Sequence, residues 1–449
     1  MRDWFRISSG KLFVVLVTSG VLLRVITTIV AANGIFTPWR VGGDAPFYVR
    51  LASNIASGYG YAYFGGPTAF RPPVYPLLLA GLIRVFGQSA FFVIRIVQLL
   101  VGLVTAWLCA RICSRVFDQE TGRAALVIAL FLPTMLIFPT ELMTECLATF
   151  LVALFFYYIL LNPGFSKWST VVVLGLVVGL STLLRFNMAA LGLVALFALF
   201  KKMEWPRAWP RMLLMTAVAG LTVAPWLVRN FVVFHGRVLL STQGGINAAQ
   251  GVLTPQGRVQ GNDVKLLHDV LGWQAADVES NSPPEFPIPA EPELDRRAWV
   301  VARHLWRDES WRWIPLSFSK LGYFWLSTDQ IFWTKSFSRT QRLIRFSGVL
   351  VHWMVLASAV GGWMRLSREH RDEARFLLVY AVLISLIHLP FIMTSRYRVP
   401  FFDPVLAVLA AGGLVPGPIS RLAASETPTQ ESGVPGHANA GVANRITLA

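Results

Sequence analysis

The feature that most constrains this chain is a series of about ten apolar stretches, at roughly 11–32, 91–110, 124–140, 143–161, 169–186, 188–200, 212–234, 343–364, 376–394 and 399–416. A helix of about 20 apolar residues crosses a bilayer core. Inside lipid every backbone N–H and C=O must find its partner within the protein, and a helix does this alone. The expected fold class is therefore all-α, a polytopic membrane protein with about ten transmembrane helices. With 55% hydrophobic and 14% charged residues, an ordinary soluble domain is excluded. Residues 11–32 exceed the apolar core of a signal peptide and read as a signal anchor.

The formal net charge is +16. No basic stripe interleaves with aromatics on a soluble domain, so nucleic acid is not an expected partner. Lys and Arg gather instead in short loops: Arg2, Arg6 and Lys11; Arg111, Arg115 and Arg123; Lys201, Lys202, Arg207 and Arg211; Arg365, Arg368, Arg371 and Arg375. With ten spans these fall on one face, which the charge bias makes cytoplasmic. Both termini are then cytoplasmic, in a multi-pass protein of the cell (inner) membrane. The opposite face receives two long connections, 33–90 and 235–342. Residues 1–416 form the membrane-embedded module. Residues 417–449, small, polar and Pro-containing, read as a disordered cytoplasmic tail.

In the first connection, Phe47, Leu51 and Ile55 recur at helical spacing, which predicts a short amphipathic helix lying in the membrane interface. Residues 74–86 are apolar but too short to span, so a re-entrant or interfacial segment is expected. The second connection opens on STQGGINAAQG and becomes helical and rich in Trp: Trp299, Trp306, Trp311, Trp313 and Trp325. These are read as an interfacial aromatic belt, with a sugar-stacking platform as the alternative. Cys109, Cys113 and Cys146 sit in apolar spans as small packing residues. There is no GxGxxG, P-loop, HExxH or paired CxxC.

Ionisable groups at membrane depth are costly and mark function unless they are paired. Asp44, in GGDAPFY, reads either as a helix cap ahead of Pro46 or as a catalytic acid or base. Glu141 and Glu145, in PTELMTECLATFL, are four apart, which places both on one helix face. Arg185 ends the fifth span, and Arg396 and Arg398 flank Tyr397 in SRYRVPFFDP. Such arginines either snorkel to headgroups or form guanidinium forks for a phosphate. Arg71 lies in an Arg-Pro-Pro, with Tyr48 between it and Asp44.

Taken in order, GGDAPFY, RPPVYPLLLAGLIRVFG, TELMTECLATFL and SRYRVPFFDPVLAVLAA resemble the integral-membrane glycosyltransferases of the GT-C class. The likeness is to the bacterial branch related to protein O-mannosyltransferases and lipid A aminoarabinose transferases (family 39/83-like), and it covers most of residues 1–415. It implies a GT-C-like fold, a polyprenyl-phosphate sugar donor, a lipid, glycan or protein acceptor, and inverting transfer on the outer face. It also implies that Asp44 is the base. The family often carries an acid directly after that aspartate, whereas Ala45 and Pro46 stand here.

The chemistry agrees. A polyprenyl phosphate leaves readily but needs its developing charge stabilised, and the acceptor hydroxyl needs one base. The expectation is a hexosyl- or pentosyltransferase with Asp44 as base and Arg71, Arg185 and Arg396 on the donor phosphate. Glu141, Glu145, Tyr48 and Tyr397 would orient donor or acceptor. No cofactor is assigned, although the two glutamates could also help to hold a divalent metal ion. The alternative is a polytopic transporter or lipid flippase, which would place its charges at the bilayer midplane beside broken helices.

Overall fold

The computed structural model describes residues 10–33, 44–63, 66–162, 165, 167–253, 291–308, 310–328, 339–366, 368–393 and 395–415. Met1–Val415 form one compact unit. The predicted tail, Gly42, Gly43 and the segment 254–290 lie outside the described residues. In chain order the helices are α1 (Gly10–Ala32), α2 (Ala45–Ala56), α3 (Val74–Phe86), α4 (Ala90–Val116), α5 (Gln119–Phe131), α6 (Pro133–Ile137), α7 (Glu145–Leu161), α8 (Trp168–Leu184), α9 (Ala190–Lys202), α10 (Trp205–Val233), α11 (Gly244–Leu253), α12 (Glu291–Asp308), α13 (Ser310–Leu326), α14 (Arg339–Arg365), α15 (Arg368–His388) and α16 (Ser395–Leu414). One two-residue ribbon, β1 (Ala62–Tyr63) against β2 (Gly66–Pro67), is antiparallel with Ala62 opposite Pro67.

Every predicted span coincides with a helix, the third with the pair α5 and α6. By length and composition, five helical runs among the described residues are long and apolar enough to cross a membrane: Gly10–Ala32, Val74–Val116, Trp205–Val233, Phe346–Arg365 and Ser395–Leu414. The α5–α6 pair makes a sixth if its two parts are one span. Glu145–Leu161, Trp168–Leu184 and Ala374–His388 are apolar but shorter.

α16 is the axis of the unit. Its apolar window is 78% buried inside the protein, against 39% or less for the other four long runs. It packs on α4, α5, α7 and α14, and nearly every residue from Ser395 to Gly412 is inside. α1 meets α5 closely at Gly20, where a Cβ would lie 2.9 Å from that of Leu130.

Between α5 and α6 the chain bends by 59°. Pro133 has no N–H, so the Ala129 carbonyl loses its helical donor. Arg24, near the middle of α1 and 2% exposed, replaces it. Its Nη2 donates to the Ala129 carbonyl at 2.7 Å and its Nε to the Leu130 carbonyl at 3.0 Å. A charge at membrane depth is thus spent on backbone that a proline has left unpaired.

A second apolar cluster joins the two long connections. Phe47, Leu51, Tyr63 and Phe70 from the first pack with Ile246, Ala249, Val252, Ala298 and Leu305 from the second. This corrects the expectation of a lipid-lying helix at Phe47, Leu51 and Ile55. α2 forms as predicted, but Phe47 and Leu51 are fully covered by protein. An apolar helix face is satisfied by α11 and α12 as well as by lipid, and its spacing does not distinguish them. The tryptophans divide in the same way. Trp311 is exposed, Trp299 packs edge-on against Trp306 and Phe391, and Trp325 donates to Ser385 Oγ at 3.2 Å.

Candidate active site

Five charged side chains from separate elements meet in one chain of ion pairs. Asp44 precedes α2, Arg71 precedes α3, Glu145 opens α7, Arg185 closes α8 and Arg396 is the second residue of α16. One Asp44 oxygen pairs with Arg71 Nη2 and the other with Arg396 Nη2. Arg396 Nε lies 3.3 Å from Glu145 Oε1, and Arg185 Nη1 lies 3.2 Å from the same oxygen. Three guanidiniums therefore face two carboxylates, leaving one positive charge in excess within the cluster.

Local chemistry explains each placement. Asp44 stands at the N-cap position of α2 with Pro46 in the first turn, but its side chain makes no cap hydrogen bond. The carboxylate is turned to the arginines instead. The Arg71-Pro72-Pro73 run cannot continue a helix. It is pinned by Tyr61, whose hydroxyl donates to the Arg71 and Pro72 carbonyls at 2.9 and 3.1 Å. The Arg71 guanidinium sits over Phe47 and Phe70, each 5.2 Å from ring centroid to Cζ, and over Tyr48 at 5.7 Å. Tyr48 in turn packs edge-on against Tyr75. Arg185 and Arg396 both lie over the Tyr397 ring at 5.3 Å. Arg185 Nη1 also donates to Thr144 Oγ1 at 3.2 Å.

Burial sets the electrostatics. Burial alone would raise the Asp44 carboxyl, but Arg396 and Arg71 outweigh it and hold the acid well below the usual carboxylate range. For Arg71, burial lowers the group and the Asp44 charge raises it further, so it stays a firm cation. Burial, the largest effect, raises the Tyr48 hydroxyl. Glu145 is only 1% exposed, and neither of its oxygens is in hydrogen-bonding alignment with a partner. Its contacts with Arg185 and Arg396 are ion pairs at Oε1, and Oε2 has no hydrogen-bond partner among the described residues.

Two expectations are corrected. Glu141 does not share a helix face with Glu145. Phe138–Thr140 form a 3-10 turn, Glu141 is extended (φ −94°, ψ 146°), and α7 begins only at Glu145. The Glu141 carbonyl accepts from Gln98 Nε2 at 2.8 Å, and its charge acts on Arg95. Glu141 is in none of the four ion pairs given above. Arg398 does not snorkel. It is fully buried, and its Nη1 donates to the Phe324, Trp325 and Ser327 carbonyls at 2.7, 2.8 and 3.1 Å. These are carbonyls at the C-terminus of α13, where a cation satisfies the unpaired acceptors and the helix dipole together.

The sequence reading passed over Thr144 and Gln243. With its amide oriented to satisfy both ends, Gln243 accepts from Arg71 Nη1 at 3.0 Å and donates to the Phe70 carbonyl at 3.1 Å. It lies in the glycine-rich stretch that the sequence marked only as a stretch. Among the described residues no three of His, Cys, Asp and Glu come together. Asp44 and Glu145 each face two guanidiniums.

The fold compares with solved structures. The oligosaccharyltransferase of Archaeoglobus fulgidus in its apo form matches with a TM-score of 0.52 and 15% identity, over 91% of this chain and 50% of that one. The archaeal oligosaccharyltransferase AglB of the same organism, in complex with an inhibitory peptide and a dolichol-phosphate, gives 0.51 and 16%, over 89% and 50%. ArnT from Cupriavidus metallidurans bound to undecaprenyl phosphate gives 0.40 and 15%, over 89% and 78%. No curated protein sequence matches. The chain spans about half the length of the oligosaccharyltransferase. At such identities the likeness speaks for the fold alone, a helical fold shared with the archaeal oligosaccharyltransferase. Residues 70–228 also match the family described as dolichyl-phosphate-mannose-protein mannosyltransferase. That segment runs from Phe70, beside the site's Arg71, to the C-terminal half of α10 and includes Glu145 and Arg185.

Proposed function

We propose that this protein moves one sugar from a polyprenyl-phosphate carrier to an acceptor hydroxyl, with inversion, at the outer face of the cell membrane. The observation that carries the reading is Asp44 held between Arg71 and Arg396, with Glu145 and Arg185 behind. A phosphate and a carboxylate compete for the same guanidinium fork. Donor entry exchanges Arg71 and Arg396 from Asp44 to the phosphate oxygens, with Arg185 adding charge. Asp44, clamped, is a poor base. Released from its cations, its affinity for a proton rises toward that of an ordinary carboxylate.

The acceptor hydroxyl then attacks the anomeric carbon. Its oxygen forms the new C–O bond while its proton passes to Asp44. The bond from the anomeric carbon to the phosphate oxygen breaks, and the electron pair leaves with the polyprenyl phosphate, whose charge the arginines balance. A single displacement inverts the centre. Glu145 Oε2, buried and without a hydrogen-bond partner among the described residues, would accept a hydrogen bond from a hydroxyl of the donor sugar. Tyr48 and Tyr397 wall the guanidiniums, and Glu141 lies beside Arg95 outside this chain of contacts.

The transporter or flippase reading has one observation in its favour, the break between α5 and α6. The carbonyls freed there are taken by Arg24, whereas an ion or substrate site needs them open. Purified protein, a labelled undecaprenyl-phosphate sugar and cell-envelope acceptors test the proposal. Transfer that disappears with Asp44→Asn supports it. Movement of carrier lipid across the bilayer with no new glycosidic bond would replace it with the alternative.

A further inference from the structure

The glycine-rich stretch at the start of the second connection has no part in the chemistry above, yet it is built against Arg71. Thr242 N–H donates to the Ala69 carbonyl at 3.3 Å. Ala69 N–H donates to Glu291 Oε1 at 2.9 Å, and the Thr242 hydroxyl donates to the same oxygen. Gly245 N–H donates to Asp295 Oδ1 at 2.6 Å. A Cβ at Gly245 would collide with the Asp295 carbonyl and lie 2.8 Å from Trp299 Cδ1, so the close approach of α11 to α12 requires glycine. The first turn of α12 thereby fixes residues 242–245 against residues 69–71. Gln243 is the residue of that stretch that reaches the guanidinium.

Arg71 has its Nη2 on Asp44, its Nη1 on Gln243, and aromatic rings against its planar faces. When phosphate replaces Asp44, the first contact is lost and the second is kept. We propose that Gln243 is a positioning residue that holds the Arg71 fork in register for the donor phosphate while Asp44 is released. This rests on the donor reading above. The role calls for an uncharged acceptor. A carboxylate in its place would pair with Arg71 and compete with the phosphate, and an apolar side chain would leave Nη1 without a partner.

The test measures undecaprenyl phosphate binding to the detergent-solubilised full chain, with wild type, Gln243→Met and Gln243→Glu compared and their thermal midpoints recorded. A lost hydrogen bond to a charged group corresponds to about tenfold or more in affinity. Gln243→Met is expected to weaken binding about tenfold and Gln243→Glu to weaken it further, with the acceptor KM unchanged. A merely structural role would be hurt less by the polar, isosteric Glu than by Met, so Glu binding better than Met overturns the proposal. So does wild-type-like binding by both variants, which leaves the donor reading intact. Wild type that fails to bind the lipid removes the donor reading and this proposal with it. A second measurement repeats Gln243→Met in an Arg71→Lys background. The effect should shrink there, and an undiminished effect shows that Gln243 does not act through Arg71.

Discussion

Arg396 Nε lies 3.3 Å from Glu145 Oε1 while Nη2 of the same guanidinium holds Asp44. One side chain on the central helix thus joins the acid of the first connection to the acid that opens α7. Whatever draws Arg396 away acts on both carboxylates at once.

Asp44→Asn keeps the shape of the side chain and removes both the proposed base and the competing charge. Sugar transfer should fall by about 10²–10⁴, the usual worth of general-base help. Binding of undecaprenyl phosphate should be unchanged or tighter, because Arg71 and Arg396 no longer have to leave a carboxylate. Titration of the lipid into both proteins checks it, and weaker binding by the Asn variant would rule out the exchange of partners.

Arg396→Lys and Arg398→Lys should differ in kind. At position 396 an ammonium cannot grip two phosphate oxygens as a guanidinium does. The donor kcat/KM should therefore drop about tenfold or more, since each charged hydrogen bond contributes roughly 1.5–3 kcal/mol. At position 398 the side chain donates to three carbonyls at the end of α13. The Lys variant should lower the thermal midpoint in detergent and leave the donor KM near wild type. Donor titrations and melting curves on both variants decide it.

The helices and the identities of most charged groups were legible because apolar runs and ionisable residues inside them are local signals. Partners were not. Arg396 and Arg398 are two residues apart with similar surroundings in sequence, yet one meets Asp44 and the other the end of α13. Nothing near them in the chain encodes residues 44 or 324. Glu141 was misplaced because a spacing of four implies one helix face only if the helix is continuous, and the 3-10 turn at Phe138–Thr140 ends it. Arg24 went unnoticed because one arginine hardly lowers the hydropathy of a 23-residue helix. Its reason, Pro133, lies far along the chain.

Arg24→Met should test that pairing. Methionine matches much of the length but donates nothing, so the Ala129 and Leu130 carbonyls are left buried and unpaired. Each orphaned acceptor costs about 1–3 kcal/mol. The thermal midpoint should fall while the donor KM of the protein that remains folded is unchanged. A Met variant as stable as wild type would mean that other groups satisfy those carbonyls.

Orientation is tested by labelling from outside the cell. Arg237 is exposed just past the end of α10, and Lys201 is exposed at the end of α9. If Lys and Arg mark the cytoplasmic face, Arg237→Cys should react with an impermeant thiol reagent and Lys201→Cys should not. The reverse pattern would turn the active site to the cytoplasm and remove the need for a lipid-carried donor.

Glu145→Gln should damage transfer more than Glu141→Gln does. Glu145 is 1% exposed and is the counter-charge shared by Arg185 and Arg396. Removing one partner of a buried pair leaves the others uncompensated, at about 3–5 kcal/mol. The amide also turns two N–H donors toward guanidiniums that have none to receive. Some of this cost falls on the fold, so the informative readout is the donor rather than the melting point. Oε2 has no hydrogen-bond partner among the described residues, and in the proposed complex it accepts a hydrogen bond from a hydroxyl of the sugar. Glu145→Gln should then lose affinity for the sugar-bearing donor more than for undecaprenyl phosphate alone, since only the former carries that hydroxyl. Glu141 lies before α7, beside Arg95 rather than Arg396, and its Gln variant should change neither affinity by more than about twofold, as expected of a contact outside the site. If Glu145→Gln weakens both lipids equally, the glutamate serves only as a counter-charge, and the sugar contact must be sought elsewhere around Arg185 and Tyr397.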